Sequence, residues 1–315
     1  MASLKRRLGG GLTGLLKTLT CLLGLLIAVS YLAPLHWSAD WLTLFYEAYL
    51  LGAVVLTLGW LALRRWRWAA LSTVLGIITF MPFISYWLPV SQVRAAPSLR
   101  LYSHNIYYLN SDLTGLVAEI ERHSPDLVFL MEYSSAIQRE IEEAFAAYPY
   151  RLIEPSRWTM GVALFSRFPL EAPRVHRSDT TRIPIVDVSV RTPEGLLNFV
   201  GAHPWPPLPR WAGLHRRQMA DVSRVAAEAR SEALLVAGDF NASPWSYTVR
   251  TLERSANVSD AGLGFGFGNT WRLAPFFALP IDQVLVSEGL EVVSLERGNP
   301  AGSDHVPLVV DLRLP

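Results

Sequence analysis

Cysteine is almost absent: Cys21 is the only one in 315 residues, and it lies in an apolar stretch. A lone thiol excludes an intrachain disulfide framework and a zinc site built from several cysteines. Lysine is scarce as well, with two against 26 arginines, a usage that suggests a GC-rich bacterial gene. Acids are nearly missing from the first third. Residues 1–96 hold eight basic residues and two acids, whereas residues 97–315 hold twenty arginines and twenty-five acids. The second part is therefore net −5, which argues against the long basic track that nucleic acid demands. No internal repeat is present. The glycine-rich stretch Gly262–Gly268 lacks the Gly-Lys-Ser/Thr that a phosphate-cradling loop needs, so a mobile loop is expected there.

Apolar residues are in excess, at 51% against 17% charged, with a mean hydropathy of +0.25. The excess is local. No charge falls between Thr18 and Ala39, only Glu47 between Trp41 and Leu63, and none between Trp68 and Val93. Each run reaches the ~20 helical residues that cross ~30 Å of hydrocarbon. The pattern predicts a membrane domain over residues 1–96, with transmembrane helices at about 18–39, 41–63 and 68–90, and a second domain over 97–315. A cleaved signal peptide would explain the first run, which follows Lys5, Arg6 and Arg7, but not the other two. Trp37, Trp41, Trp60, Trp66, Trp68 and Trp87 lie near the run ends, where amphipathic rings favour the headgroup layer.

Lys5, Arg6, Arg7 and Lys17 precede the first run, and Arg64, Arg65 and Arg67 fill the second loop, while the first loop, around Asp40, has no basic residue. The positive-inside rule then predicts a multi-pass protein of the cell (inner) membrane with a cytoplasmic N-terminus. Three crossings leave everything after Val93 extracytoplasmic, with Arg94 alone against this in the flanks. Glu47 is read as a residue near the interface rather than an intramembrane functional carboxylate.

After the linker Ala95–Pro97, apolar runs alternate with amphipathic ones. Strands are expected at 99–103, 127–131, 161–166, 185–190, 196–202, 233–237, 281–286 and 306–312, and helices at 113–123, 136–147 and 214–229. This mixture suits a layered α/β domain with sheet inside and helices outside.

Polar residues follow or precede these strands: Asn105, Glu132, His203, Asp239, Asn241, Asp304 and His305. Singly, each has an ordinary explanation as a turn former, cap or packed histidine. Together they point to one cleft, because loops at one end of a sheet gather such side chains. Asn105, Glu132, Asp239, Asn241 and Asp304 offer oxygen, the donor set of Mg²⁺ or Mn²⁺. The histidines add what phosphate-ester hydrolysis also needs, namely proton transfer and charge stabilisation.

The segments Gly238-Asp239-Phe240-Asn241 and Gly302-Ser303-Asp304-His305, with Ile281-Asp282-Gln283-Val284 between them and Met131-Glu132 upstream, resemble the endonuclease/exonuclease/phosphatase family. The resemblance runs in order over most of residues 98–315 and leaves out the apolar runs. It implies a four-layer α/β sandwich, two mixed β-sheets flanked by helices, here preceded by three transmembrane helices. It also implies roles: Glu132 as the principal metal ligand, Asn105 organising metal and phosphate, and Asp304 binding metal directly or through water. By the same resemblance His203 contacts the phosphate, Asn241 holds it, and Asp239 orients or deprotonates the attacking water. His305 acts as base or stabilises the pentavalent transition state, so the choice of base between it and Asp239 stays open. Asp282 resembles the family's catalytic Ile-Asp aspartate, although Gln283 follows where many members carry an aromatic residue or His, and it is equally read as an acid at a strand start.

The expected activity is metal-dependent phosphoester hydrolysis at a lipid bilayer. A lipid headgroup or other extracytoplasmic phosphate ester is the first substrate choice and nucleic acid the second, with a non-catalytic membrane binding module as the rival. Trp158, Trp205, Trp211, Trp245 and Trp271 fall in or near expected loops, where they either rim the cleft, rest on the bilayer or pack locally.

Overall fold

A computed structural model of the chain describes residues 2–88, 96–157, 159–177, 182–274 and 277–315, with side chains from Gly11 onward. Val90, Val93, Arg94, Ala95 and Trp158, and the side chains of Lys5, Arg6 and Arg7, lie outside the described residues. The chain divides into two compact units, Met1–Ile84 and Ser85–Pro315.

The first unit is helical: α1 (Ala2–Ser30), α2 (Trp37–Trp41), α3 (Tyr46–Ala62) and α4 (Trp66–Phe80), with α5 (Ile84–Trp87) at its boundary. Three segments, Gly11–Ser30, Trp37–Ala62 and Trp66–Trp87, are helical, long enough and apolar enough to cross a membrane. The first helix stops short of the expected residue 39. Turns run from Tyr31 to Leu35, where Pro34 has no N–H to continue the ladder. The first of these apolar segments, Gly11–Ser30, contains Lys17 rather than following it. Glu47 sits in the first turn of α3, where the helix dipole favours an acid.

Leu15, Leu25, Leu51, Val55, Leu58 and Ile77 remain exposed, whereas small or polar groups mark the helix contacts. A Cβ on Gly76 would stand 3.2 Å from that of Ala53. The Trp60 indole N–H donates to Thr20 Oγ1 at 3.0 Å, and Ser30 Oγ bonds Tyr46 Oη at 2.8 Å. Close backbones and interhelical hydrogen bonds hold apolar helices where lipid removes the hydrophobic drive.

The second unit is a sandwich of two six-stranded mixed sheets. Its strands are β1 (Leu99–Asn105), β2 (Leu127–Met131), β3 (Tyr150–Glu154), β4 (Val162–Ser166), β5 (Leu170–Arg177), β6 (Pro184–Arg191), β7 (Leu196–Ala202), β8 (Leu234–Asp239), β9 (Val258–Asp260), β10 (Trp271–Ala274), β11 (Phe277–Leu279), β12 (Asp282–Ser287), β13 (Glu291–Arg297) and β14 (Leu308–Arg313). One sheet has the order β13-β14-β1-β2-β4-β3, the other β5-β6-β7-β8-β12-β9, and β10-β11 form a separate ribbon. Helices α6 (Leu113–His123), α7 (Ser135–Ile141), α8 (Ala212–Glu228) and α9 (Tyr247–Ala256) complete the unit.

The strand sequences explain the layers. In Leu127–Met131 the odd residues enter the core between the sheets, while Val128 and Leu130 face outward into a second cluster with Leu116, Ile120 and Ile137. Val200, Leu234 and Val236 pack likewise against Met219, Val222, Val249 and Leu252 of α8 and α9. Strands buried on both faces read as continuous apolar runs rather than alternating ones. The sheets approach closely where Phe129 meets Phe199 edge to face at 5.3 Å between ring centroids. Gly201 permits it, since a Cβ there would lie 2.6 Å from the Phe129 ring.

Three further expectations change. The helix expected over 136–147 ends at Ile141 and continues as a 3-10 turn over Glu143–Phe145. The half-buried strands β3, β5 and β13, and helix α9, had no counterpart in the expected elements. The stretch Gly262–Gly268 is a loop but a fastened one: Gly264 and Gly266 N–H groups donate to the Ser85 and Tyr86 carbonyls, and Phe267 packs on Tyr86 and Trp245. Beneath it the Tyr86 hydroxyl donates to buried Asp260 at 2.8 Å.

Candidate active site

Topology gathers the polar residues before any chemistry does. Each sheet contains one parallel pair, β1 with β2 and β7 with β8, so both strands of a pair end at the same edge. Asn105 and Asp239 end β1 and β8; Glu132 and His203 directly follow β2 and β7. The antiparallel neighbours begin where these end: Asp282 opens β12 paired with Asp239, and Asp304 and His305 lead into β14 beside the end of β1.

Backbone strain aims two of the side chains. Glu132 (φ 59°) and Asn241 (φ 49°) occupy the left-handed region, which costs a non-glycine residue roughly 1–2 kcal/mol. Gly238 keeps β7 and β8 in register ahead of Asp239, because a Cβ there would lie 2.1 Å from the Ala202 carbonyl oxygen.

The two sheets meet at Asn105, whose Nδ2 donates to Glu132 Oε1 at 3.2 Å and to Asp239 Oδ2 at 3.0 Å. The same Asp239 oxygen lies 3.5 Å from His203 Nε2 and 3.7 Å from His305 Nε2. His305 Nδ1 is held by Asp282 Oδ2 at 2.8 Å. Asn241 donates through its backbone N–H to Asp239 Oδ1 at 2.9 Å and through Nδ2 to the Pro204 carbonyl at 3.0 Å. Asp304 stands at the rim, its Oδ2 accepting from the Trp271 indole N–H at 2.8 Å.

The electrostatics follow from burial opposed by pairing. Burial alone would lower His305, yet the Asp282 and Asp239 carboxylates raise it to about 10. His203 is raised in the same way: burial opposes its charged form, and the Asp239 carboxylate outweighs that. Asp239 is correspondingly lowered, burial being overcome by His305, His203 and Asn105.

The donors fit a hard cation. The ion pairs of the cleft fall on Asp239 and Asp282, and among the described residues none falls on Glu132 or Asp304. Glu132 is half-buried and receives only N–H donors, from Asn105 and the Tyr108 backbone. Asp239, Asp282 and His305 also bring ligand atoms within 4.8 Å of one another. In the cleft, the buried His203 Nδ1 and Asp282 Oδ1 have no hydrogen-bond partner among the described residues. Oxygen-rich, cysteine-free donors of this kind suit Mg²⁺ or Mn²⁺.

The sequence reading missed the supports. His104, on the opposite face of β1 from Asn105, donates from Nε2 to the His305 carbonyl at 3.1 Å, and burial lowers its imidazole to about 3, leaving it neutral. Thr270 Oγ1 accepts the Asp282 N–H at 3.0 Å, and Ser303 Oγ accepts the His305 N–H at 3.0 Å. None has a motif of its own; only Ser303 was legible, as part of Ser-Asp-His. Of the loop tryptophans, Trp245 is buried, whereas Trp205 and Trp211 lie 4.8 Å apart between centroids, tilted by 34°, with the Arg210 guanidinium 3.9 Å from the Trp211 ring centre.

Residues 102–305 match the family described as the Endonuclease/Exonuclease/phosphatase family. No curated protein matches the sequence. Among solved structures, the human Nocturnin catalytic domain with bound sulfate is 21% identical with a TM-score of 0.58, covering 71% of this chain and 97% of that one. TDP2 of D. rerio complexed with single strand DNA product is 17% identical with a TM-score of 0.58, covering 68% and 98%. An endonuclease/exonuclease/phosphatase from Beutenbergia cavernae is 20% identical with a TM-score of 0.56, covering 69% and 72%.

Proposed function

Since the chain belongs to the endonuclease/exonuclease/phosphatase family, which includes metal-dependent phosphoesterases and nucleases, we propose that it is a membrane-anchored, Mg²⁺- or Mn²⁺-dependent phosphoesterase. The observation that carries this reading is the convergence of Asn105, His203 and His305 on one oxygen of Asp239, beside a Glu132 that forms no ion pair among the described residues. In this reading Glu132, Asn105 and Asp304 hold the metal, which when bound supplies charge neutralisation at the phosphoryl oxygens. Asp239 orients the attacking water and takes its proton. His305, fixed at Nδ1 by Asp282, donates through Nε2 to the phosphoryl group as charge builds on it. His203 and Asn241 grip the phosphate.

The membrane domain comprises residues 1–96 and the catalytic domain 97–315 in this proposal, with a cytoplasmic N-terminus and the cleft outside. A lipid headgroup is the leading substrate. The loop His203–Trp211 supports it: it starts at the cleft and carries half-exposed Trp205 and Trp211, exposed Leu208 and Arg210, a composition suited to a headgroup layer. Nucleic acid is the second reading, because the same ring pair with its arginine would also stack a base.

Full-length protein in detergent, assayed with Mg²⁺, Mn²⁺ or EDTA against phospholipids and plasmid DNA, decides between them. The expected result is metal-dependent lipid turnover that Asp239→Asn lowers by about 10³-fold. DNA cleavage with the same dependence assigns the nuclease reading, and no turnover of either assigns a binding module.

A further inference from the structure

The three-helix unit has a cavity unconnected with phosphoester chemistry. It measures about 430 Å³ and is lined by Thr13, Lys17, Arg64, Arg65, Trp66, Arg67 and Trp68. Four basic side chains face it and no acid does; the unit's two acids, Asp40 and Glu47, are elsewhere in the sequence and not in its lining. Its lining residue Trp68 is held in place: it stacks on Trp60 at 5.4 Å between centroids, Trp60 is tied to Thr20, and the Lys17 ammonium lies 5.7 Å from the Trp68 ring centre. Helix α4 opens at this cavity with Arg65 as its N-cap and no side chain satisfying its first N–H groups. A helix start of that kind adds partial positive charge to the four cations.

The surroundings are apolar. Leu12, Leu15, Leu61 and Leu71 on α1, α3 and α4, and Leu63 at the end of α3, are all more than a third exposed. A ligand that meets cations at one end and exposed leucines along the other is an anion with hydrocarbon chains. We propose that this cavity binds the phosphate headgroup of an anionic phospholipid. Lys17 on α1 and Arg65 in the turn that opens α4 grip the phosphate, and the acyl chains lie along α1, α3 and α4. The inference rests on reading those helices as membrane-spanning. It extends the positive-inside reading of the same residues from a count of charges to a shaped site, at the leaflet where anionic lipids are enriched.

The test is native mass spectrometry of full-length protein in detergent with equal amounts of phosphatidylglycerol and phosphatidylcholine of matched chains. In detergent no orientation signal operates, so retention reports the cavity alone. Phosphatidylglycerol is expected to be retained about 30-fold over phosphatidylcholine, in proportion to two close cations. The preference should vanish in Lys17→Gln/Arg65→Gln and persist in Lys17→Arg/Arg65→Lys, which keeps the charge and controls for folding. Equal retention of both lipids, a preference that the glutamine variant keeps, or displacement by millimolar glycerol phosphate would each overturn the lipid assignment. Recovery of the chain outside the membrane fraction of cells would instead overturn the spanning reading beneath it.

Discussion

At the scale of single residues, the cleft shows how positions with ordinary local explanations acquire chemistry from their neighbours. Trp271 illustrates this. In sequence it is one loop tryptophan among five, but its indole N–H holds the Asp304 carboxylate at 2.8 Å and its backbone bridges His305. Groups that orient a metal ligand commonly govern affinity 10- to 100-fold. Trp271→Phe, which keeps the ring and removes the donor, is therefore expected to raise the metal concentration for half-maximal turnover by about tenfold, with a smaller change in kcat at saturating metal. A metal titration checks this; an unchanged half-maximum would show that Asp304 needs no such support. Gln283, the departure from the family pattern next to Asp282, is absorbed structurally. Its amide donates to the Ala242 and Pro280 carbonyls, so it supports the loop rather than the reaction.

At the scale of elements, the approach to the Ser-Asp-His segment is secured from α6. Glu119 on that helix accepts the Asn299 N–H at 2.7 Å and pairs with Arg122 and His123. Burial pushes its carboxyl up, but these partners lower it from 4.5 to about 2. A lowered carboxyl stabilises the fold fully above its unfolded value and loses that contribution as pH falls from about 4.5 toward 2. Glu119→Gln should therefore lower stability by about 1–2 kcal/mol at pH 7, after allowance for the exposed Arg122, and the deficit should shrink as pH falls below 4. Melting curves of wild type and variant at pH 7 and pH 3 measure it. A deficit that is the same at both pH values would assign Glu119 a packing role instead.

At the scale of the whole molecule, two kinds of sequence share one chain: a unit whose exposed surface is leucine, valine and tryptophan, and a net-acidic unit with a buried polar cleft. Lys17, Arg64, Arg65 and Arg67 of the first line one cavity, and the positive-inside rule then predicts the side on which the second is found. A reporter that works only outside the cytoplasm, fused after Pro315, should be active, and one that works only in the cytoplasm silent. The opposite pattern would reverse the orientation and place the cleft among cytoplasmic phosphate esters.

The amino-acid sequence alone determined the broad outline. Charge-free runs announce three apolar helices, because hydrocarbon tolerates little else. Runs such as Leu127–Met131 announce strands covered on both faces, and Gly-Asp-Phe-Asn with Ser-Asp-His announces the family. Half-buried β3, β5 and β13 escaped, because a strand with one open face lacks the continuous apolar signal. Helix α9 was hidden by its short polar sequence, and the break at Pro34 by the apolar residues around it. Only the tertiary structure decided that Asn105 joins Glu132 to Asp239, that Asp282 rather than another acid clamps His305, and that Lys17 shares a cavity with Arg65. Each joins residues far apart in the chain, and hydrogen bonds, ion pairs and cavities depend on distances that no local pattern encodes.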